Sequence, residues 1–462
     1  MNAPHDETPP PGDDAGDAAD APFDRGRLVG DLDAALAFFS PVAVQGRVNH
    51  AVGQILNATG IRAKLGEICE LRTPNQPTLL AEVVGFSRQT TLLTPLGDVA
   101  GLSPETTVVP SGREHVFPVG EALFGRVLDG LGRPLDDRGP VTGATWVSTQ
   151  QDPPNPLARR MIDTPFPTGV RVIDGLMTLG VGQRVGIFAP SGVGKSTLLG
   201  MIARGAQADV NVIALVGERG REVREFIEHA LSPEVRARSI VVVSTSDRPA
   251  MERVKSALVA TAIAEHFRDA GKRVLLLVDS LTRFARAQRE VGLASGEPPT
   301  RRSFPPSTFA VLPRLLERAG QGATGSITAL YTVLVEGDEE SDPIAEEVRS
   351  ILDGHIVLSR KIALANRYPA IDVLASLSRV MPLVASRAHQ QAAARVRELI
   401  AKYQEIELLV QIGEYREGSD RLGDLALRAR EAIGAFCAQA QHEDVHFDAL
   451  LAKLTKLAND HV

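Results

Sequence analysis

The sequence predicts an α/β fold in which a mainly parallel sheet lies between a small N-terminal β-barrel and a C-terminal helical bundle. Three observations predict this. From about residue 42 to 110, short β-rich runs alternate with Gly, Pro, Asn and Asp, which is typical of a small barrel. Continuous apolar runs then alternate with helical stretches up to about residue 380, as in parallel sheets. After Pro382, Ala, Arg, Glu and Leu dominate, which indicates helices.

We divide the chain into four segments on these grounds. Residues 1–26 form an acidic tail that we expect to be disordered, because residues 1–24 hold seven acids and no Lys or Arg. The β-barrel domain spans 27–112 and includes a short helix near 28–39. The α/β core spans 113–382, and the helical domain spans 383–462.

The expected elements follow the chain in order. In the barrel we expect strands at 46–48, 79–85 and 90–93. Residues 125–134 are turn-rich, and 153–156 form a rigid connector. The core strands are expected at 184–188, 211–216, 240–244, 274–278, 327–335 and 355–358, and its helices at 197–203, 222–230 and 251–270. The terminal bundle is expected at 392–409, 422–440 and 447–457.

The length, amino-acid composition and net charge are typical of an ordinary soluble protein. The 462 residues are 44% hydrophobic and 23% charged, without an apolar run of 18 residues or a secretory signal pattern. Two cysteines far apart fit a reduced, cytoplasmic setting. The net charge of −7 equals the acids of residues 1–24, and the balanced remainder argues against a general nucleic-acid binder. A local basic groove is the alternative, and no nucleic-acid partner is expected.

The segment 189–196, APSGVGKS, is the stretch around which the core is organised. It follows an apolar strand and opens a helix, which is the context of a phosphate-binding loop. Lys195 would reach the β- and γ-phosphates of a nucleotide, and the Ser196 hydroxyl would ligate Mg²⁺. The general pattern has Gly where this chain has Ala189, and Pro190 lacks the N–H that another residue would offer. The expected nucleotide-binding residues here are Ser191, Gly192, Val193, Gly194, Lys195, Ser196 and Thr197.

Two further apolar strands end in carboxylates. Asp279 ends the run 274–279 about 80 residues after the loop, where a phosphate-loop enzyme holds Mg²⁺ directly or through water. Glu218 ends another, at the sheet edge where the loop also lies. Glu218 either activates an attacking water or is a helix N-terminal acid beside a turn.

Three other side chains are open to two interpretations. Arg283, one helical turn beyond Asp279, either touches the γ-phosphate or pairs with Asp279 or Glu218. Arg379 lies where the core meets the helical region, and by itself indicates only a surface salt bridge. Tyr368, beside Pro369, either stacks on a base or packs in the fold.

A series of motifs gives the chain a resemblance to a known group. It closely resembles the hexameric RecA-like ATPases of the rotary ATP synthase group, and most of all the export ATPases of type III secretion systems and their flagellar relatives. The resemblance runs from about residue 42 to 437 and is densest at 153–385. It is carried by GRPLD, TGVRVIDGL, GIFAPSGVGKSTLL, VGERGREV, VDSLTRFARAQRE, FPPSTFAVLPRLLERAG, GSITALYTVLVEGD, EVRSILDGHIVLSR and YPAIDVLASLSRVM.

The resemblance implies site roles. Lys195 and Ser196 fall in the family's phosphate loop, and Glu218 matches its catalytic carboxylate. Asp279 matches the Mg²⁺-associated Asp, and Arg283 the arginine that senses the γ-phosphate.

The resemblance also implies that the site is completed between subunits. Tyr368 matches the aromatic that packs against adenine, and Arg379 the arginine finger that enters the neighbouring subunit's site. Since the catalytic Glu218 and the finger occur in one chain, a homohexamer is expected, with the barrel as its oligomerisation collar.

By the same resemblance, the chain would hydrolyse ATP with Mg²⁺ to release chaperones and unfold export substrates. It would act in the cytoplasm, peripherally bound to the inner-membrane export apparatus. The expected partners are a central stalk protein, a negative regulator and chaperone–effector complexes.

Three alternatives remain. A flagellar export ATPase would differ only in its client machine. A Rho-like RNA translocase would need stacking aromatics in the barrel, yet residues 42–110 contain only Phe86. A non-catalytic ATP synthase subunit would not be expected to carry Glu218.

Overall fold

The computed structural model describes residues 44–87, 89–335 and 342–460. The predicted acidic tail at 1–26 and the predicted helix near 28–39 lie outside the described residues.

A closed antiparallel barrel opens the described chain. Its strands are arranged in the order first, second, fifth, fourth, third, sixth, and the sixth pairs back to the first. Inward-facing apolar side chains such as Leu56, Leu71 and Leu93 fill it, because successive residues of a strand point to opposite faces. The strands predicted at 46–48, 79–85 and 90–93 are confirmed. The six strands are β1 (Gly46–Val52), β2 (Ile55–Thr59), β3 (Ile68–Arg72), β4 (Leu79–Ser87), β5 (Thr90–Pro95) and β6 (Thr107–Pro110).

A two-stranded ribbon follows the barrel, made by β7 (Val116–Val119) and β9 (Thr145–Ser148). Next comes the predicted mainly parallel sheet. Its strands are β8 (Val127–Asp129), β10 (Arg184–Ala189), β11 (Val210–Glu218), β12 (Ser239–Thr245), β13 (Arg273–Asp279), β14 (Gly320–Gln321), β15 (Ser326–Leu334), β16 (Gly354–Leu358) and β17 (Ile371–Ser378).

The sheet order is β17-β16-β10-β15-β13-β11-β12-β8. Seven of these strands are parallel, whereas β17 runs antiparallel to β16 at one edge and the short β14 pairs antiparallel with β15. The carboxyl ends of β10, β11 and β13 therefore lie side by side at one end of the parallel strands. We call this end of the sheet the phosphate-loop edge.

Helices cover both faces of the sheet, which explains its continuous apolar strands. Alternate residues of β11 belong to two different cores: Val212 and Ala214 lie in one, Ile213 and Leu215 in the other. The helices are α1 (Arg171–Leu176), α2 (Lys195–Gly205), α3 (Gly220–Glu225), α4 (Pro233–Ala237), α5 (Ala250–Asp269), α6 (Leu281–Ala294), α7 (Pro306–Glu317), α8 (Pro343–Ile351), α9 (Arg360–Leu364), α10 (Met381–Val384), α11 (Arg387–Gln411), α12 (Arg421–Cys437) and α13 (Phe447–Asn459).

The C-terminal helices α11, α12 and α13 pack on one of these two cores. Val396, Phe436 and Leu454 share that cluster with Leu198 of α2, so the helical domain lies directly behind the helix that follows the phosphate loop. Within the described residues, no helix is long and apolar enough to cross a membrane.

The structure differs from the sequence-based expectation at residues 125–134. The stretch is turn-rich, but Val127–Asp129 forms β8 and pairs with Val241–Val243 of β12 at the sheet edge. Three residues are too few to show a periodicity, so only the partner strand determines their conformation.

A buried polar cluster joins the barrel to the core. Lys255 of α5 pairs with Glu82 of β4 at 2.5 Å, and both side chains are almost fully buried. The buried His115 lies on the connecting segment. Burial, followed by the charges of Lys255 and Arg133, lowers the pKa of His115 to about 3, against the opposing hydrogen bond at the Leu131 backbone.

His115 should therefore make the fold acid-sensitive. Its ordinary pKa of about 6.5 means that the unfolded chain binds a proton below that pH, whereas the native chain does not. Stability should fall as pH decreases, by about 2 kcal/mol between pH 7 and pH 5 for this group. Denaturant unfolding at both pH values should show that His115→Gln loses less stability than the parent chain. Equal losses would contradict the assignment.

Candidate active site

The phosphate loop has the local structure that the sequence predicted. It joins β10 to α2, and Gly192 and Gly194 have φ values of 80° and 88°. These left-handed conformations favour glycine and turn successive N–H groups toward the space in front of the helix. Lys195 begins α2, and Ser196 is exposed in its first turn.

Lys195 lies between two carboxylates from neighbouring strands. Its Nζ contacts Asp279 Oδ1 and lies 3.5 Å from Glu218 Oε1. Asp279 ends β13 and Glu218 ends β11, and both carboxylates are buried. The structure thus brings together three residues that lie up to 84 positions apart in the sequence.

Arg283 of α6 is the second cation of the site. Its Nη2 lies 3.0 Å from Glu218 Oε2, and its Nη1 donates to the Gly217 carbonyl. A side chain at Gly217 would lie within 3.2 Å of the Arg283 stem, so this close approach requires glycine. Of the two sequence-based interpretations of Arg283, pairing with Glu218 is the one seen in this structure.

Burial is the main reason why Glu218 has an unusual pKa. Desolvation, and then the charge of Asp279, raises the pKa of Glu218 to about 7, although Lys195 and Arg283 oppose the shift. Its Oε1 is buried and accepts no hydrogen bond from any described residue. A carboxylate with a pKa near neutrality and one oxygen without a hydrogen bond is suited to accept a proton, and Lys195 is the charged group near that oxygen.

The sequence analysis missed two residues that contact these carboxylates. Thr332 of β15 donates to Asp279 Oδ1 at 2.6 Å and orients that carboxylate. Glu222 of α3 is close enough to accept a hydrogen bond from the protonated form of Glu218, which adds a minor contribution to the raised pKa of Glu218. The only sequence signal for Thr332 is a hydroxyl within an apolar run, which is too common to indicate a site.

The donor set fits a hard cation such as Mg²⁺. Within the described ranges, no three His, Cys, Asp or Glu side chains cluster as metal ligands. Mg²⁺ usually takes only one or two protein ligands and completes its shell with phosphates and water. The Ser196 hydroxyl is exposed beside the loop, and the described hydrogen bonds to Asp279 reach Oδ1 and leave Oδ2 available.

Tyr368 lies beside the phosphate loop. A β-carbon at Gly194 would be 3.4 Å from the Tyr368 ring, so glycine also allows this approach. Tyr368 and Pro369 line a pocket of about 340 Å³ together with Thr197, Gln439 and Ala440. The pocket adjoins the loop and has the volume of a small-ligand site.

Gln439 and Ala440 come from the helical domain and were not predicted. The Gln439 N–H donates to the Tyr368 carbonyl at 2.9 Å, and its side chain joins Gly169 and Arg171. Arg171 also pairs with Glu443. The wall of the pocket is therefore fixed to the start of α1, a long-range arrangement with no local sequence signal.

Arg379 is the one predicted site residue that lies away from the phosphate loop. It follows β17, and its N–H donates to Asp353, which pairs with Arg184 at the start of β10. The phosphate loop follows the other end of β10, five residues or about 16 Å away. Arg379 is exposed at the end of the sheet where the parallel strands begin, whereas its own phosphate loop lies where they end.

Family models match most of the chain. The ATP synthase alpha/beta family's beta-barrel domain matches residues 48–112, and its nucleotide-binding domain matches 169–378. The T3SS EscN ATPase C-terminal domain matches residues 385–456.

Curated relatives match over nearly their whole length. A type 3 secretion system ATPase of Xanthomonas euvesicatoria is 61% identical over 90% of this chain and 94% of the relative. A flagellum-specific ATP synthase of Bacillus subtilis is 49% identical over 90% of this chain and 95% of the relative.

Solved structures give the same result. The assembled ATPase EscN of the enteropathogenic E. coli type III secretion system is 49% identical, with a TM-score of 0.85 over 89% of this chain and all of that one. EscN in complex with its central stalk EscO is 48% identical, with a TM-score of 0.84 over the same shares of the two chains. With its barrel, nucleotide-binding core and helical domain each matched, the chain belongs to the type 3 secretion system ATPases of the ATP synthase alpha/beta family.

Proposed function

We propose that this chain hydrolyses Mg-ATP at sites completed between identical subunits, and that the cycle drives type III protein export. The observation that carries the proposal is the contact of Lys195 with Asp279 and Glu218 beside the phosphate loop. A lysine for the phosphates, a carboxylate for the cation and a second carboxylate with a raised pKa are what phosphoryl transfer to water requires.

The loop and its neighbours bind the substrate. The N–H groups of 191–197 cradle the phosphates, and Lys195 leaves its carboxylate partners to contact the β- and γ-phosphates. Ser196 and Asp279 hold Mg²⁺, which supplies positive charge that stabilises the phosphates during transfer. Tyr368 stacks on the adenine in the pocket that Gln439 and Ala440 help to form.

Glu218 orients the attacking water. Its Oε1 accepts a hydrogen bond from the water and then its proton, while the water oxygen attacks the γ-phosphorus in line with the leaving ADP oxygen. Arg283 keeps Glu218 in place through their 3.0 Å contact and adds positive charge near the γ-phosphate.

Arg379 acts on the site of a neighbouring subunit. Its exposed position on the edge opposite its own loop supports action in trans rather than in cis. An arginine finger contributes about 10³–10⁵-fold in rate, so an isolated subunit should be slow.

The assembly is a homohexamer with the barrel as its collar. The assembled state of the relative EscN supports self-association, and the EscN–EscO complex supports a central stalk partner. Chaperone–effector complexes and a negative regulator are the other partners that we propose. The motor would work in the cytoplasm, bound peripherally to the inner-membrane export apparatus.

The domain boundaries remain part of the proposal. The barrel strands end at Pro110 and β7 begins at Val116, which supports a boundary near 112. The sheet ends at Ser378 and the long helix α11 begins at Arg387, which supports a boundary near 382.

A flagellar export ATPase is the second candidate, because a flagellum-specific relative is 49% identical. The match to the T3SS EscN C-terminal domain and the 61% identity to a secretion ATPase favour the first. Deletion of the gene, scored separately for effector secretion and for motility, tests the choice. Loss of motility with normal secretion would favour the flagellar candidate.

Glu218→Gln should lower kcat by about 10²–10⁴-fold and leave ATP binding intact, because the amide cannot accept the proton.

In the parent chain, kcat/KM should rise about tenfold per pH unit below pH 7 and level off above it, as the carboxylate form appears. Steady-state kinetics and nucleotide binding measure both. Glu228→Gln, in an exposed ion pair with Arg224, is the control. A flat pH profile would contradict the general-base role.

Arg379→Ala should bind ATP normally and hydrolyse it about 10³–10⁵-fold more slowly. Mixing it with Glu218→Gln should restore activity, since an Arg379→Ala subunit can receive a finger from a Glu218→Gln neighbour. An equal mixture completes about a quarter of the sites in a head-to-tail ring. Arg387→Ala, another exposed arginine, should change little. Mixtures that stay inactive would remove the trans assignment.

Tyr368→Ala should raise the KM for ATP about 5–150-fold, because stacking contributes about 1–3 kcal/mol per base. Tyr368→Phe keeps the ring and should behave like the parent chain. An equal loss in both variants would assign the effect to the hydroxyl instead, and steady-state kinetics distinguishes the two cases.

A further inference from the structure

Thr332 carries a buried hydroxyl in the middle of the sheet. It lies on β15, which runs between β10, the strand of the phosphate loop, and β13, the strand that ends in Asp279. Thr332 pairs with Ile187 and Tyr331 pairs with Val278, so the register of the three strands places Thr332 next to Asp279. A valine has the same shape as threonine and no polar atom to desolvate, so packing alone does not explain a hydroxyl here.

The partner of this hydroxyl is the Asp279 carboxylate. Thr332 Oγ1 lies 2.6 Å from Asp279 Oδ1 and 3.4 Å from the Val278 carbonyl oxygen. Threonine has one hydroxyl hydrogen, and a hydrogen bond to an ionised carboxylate is shorter and stronger than one to a neutral carbonyl. Thr332 therefore donates to Asp279, and both side chains are buried.

The two oxygens of Asp279 have different surroundings. Oδ1 accepts hydrogen bonds from Thr332 and from Lys195. Among the residues that the structure describes, none donates a hydrogen bond to Oδ2. The protein thus holds one oxygen of the carboxylate and leaves the other available to a cation or to a water molecule that the cation binds.

The two donors to Oδ1 differ in what they do when a nucleotide binds. In the proposed function, Lys195 leaves Asp279 and contacts the β- and γ-phosphates. Thr332 belongs to a central strand, so within the described part of the chain it becomes the remaining donor to Oδ1. Without it the carboxylate could turn about its terminal bond, which has only a broad rotational preference, and Oδ1 would be buried without a partner.

We propose that Thr332 is a positioning residue for the divalent cation: its hydroxyl fixes Asp279 Oδ1, so that Oδ2 stays available to the cation that accompanies the nucleotide. The inference rests on the proposed role of Asp279 and adds the residue that sets the strength of the cation site. Thr332 acts through Asp279 and not on the nucleotide.

The test uses three variants of the full-length chain. Thr332→Val keeps the shape and removes the hydroxyl, whereas Thr332→Ser keeps the hydroxyl and removes the methyl group. Thr328→Val is the matched control, because Thr328 is also buried in β15 but accepts a hydrogen bond from the Gly182 N–H at 2.9 Å, nearer the start of the strand. Calorimetry measures the affinity for the non-hydrolysable nucleotide AMP-PNP in Mg²⁺ and in EDTA, and the ratio of the two affinities isolates the contribution of the cation.

In Thr332→Val, the affinity ratio should fall about tenfold or more, and half-maximal ATP hydrolysis should require about 10–100-fold more free Mg²⁺, because the partners that orient metal ligands typically contribute this much to metal affinity. The affinity in EDTA should match that of the parent chain. Thr332→Ser and Thr328→Val should keep the parent's ratio. Thermal unfolding checks that each variant is folded.

An unchanged ratio in Thr332→Val would overturn the proposal. An equal fall in Thr332→Ser would also overturn it, since the effect would then belong to the methyl group. Asp279→Ala distinguishes these results from a failure of the proposed function. If it loses the Mg²⁺ effect while Thr332→Val does not, the cation role of Asp279 stands and the role of Thr332 fails. If Asp279→Ala keeps the parent's ratio, the cation role of Asp279 fails, and the role of Thr332 fails with it.

Discussion

The contact of Lys195 with Asp279 and Glu218 is the arrangement on which the rest of the site depends. It exists because β10, β13 and β11 are parallel, so the phosphate loop and both carboxylates emerge at the same edge. Two buried carboxylates this close would repel each other without a cation, and the lysine stabilises both. Burial, followed by the charge of Asp279, raises the pKa of Glu218 to near neutrality.

The opposite edge of the sheet has a different role. There the chain reverses into the antiparallel β17 and presents Arg379 among exposed apolar side chains. The phosphate loop and Arg379 therefore lie at opposite ends of the parallel strands, about 16 Å apart along β10. One subunit cannot bring its own two edges together, because the strands between them are rigid. This geometry is the physical reason to expect a ring of identical chains.

The helical domain takes part in the site through a short segment after α12. Gln439 bonds the Tyr368 backbone on one side and the start of α1 on the other. If Tyr368 stacks on the base as proposed, the hydrogen bonds of Gln439 place the end of α12 at the wall of the base pocket.

The local parts could be predicted from the amino-acid sequence: the strand–loop–helix around Lys195, the buried strands ending in Glu218 and Asp279, the barrel and the long C-terminal helices. Glycine geometry, apolar periodicity and strand ends are local properties, which is why they could be predicted. The folded chain was needed to see that 127–129 is a strand, that Thr332, Glu222 and Gln439 lie at the site, and that Arg379 lies at the opposite end of the sheet. Each depends on a partner distant in sequence, and no local pattern encodes such a contact.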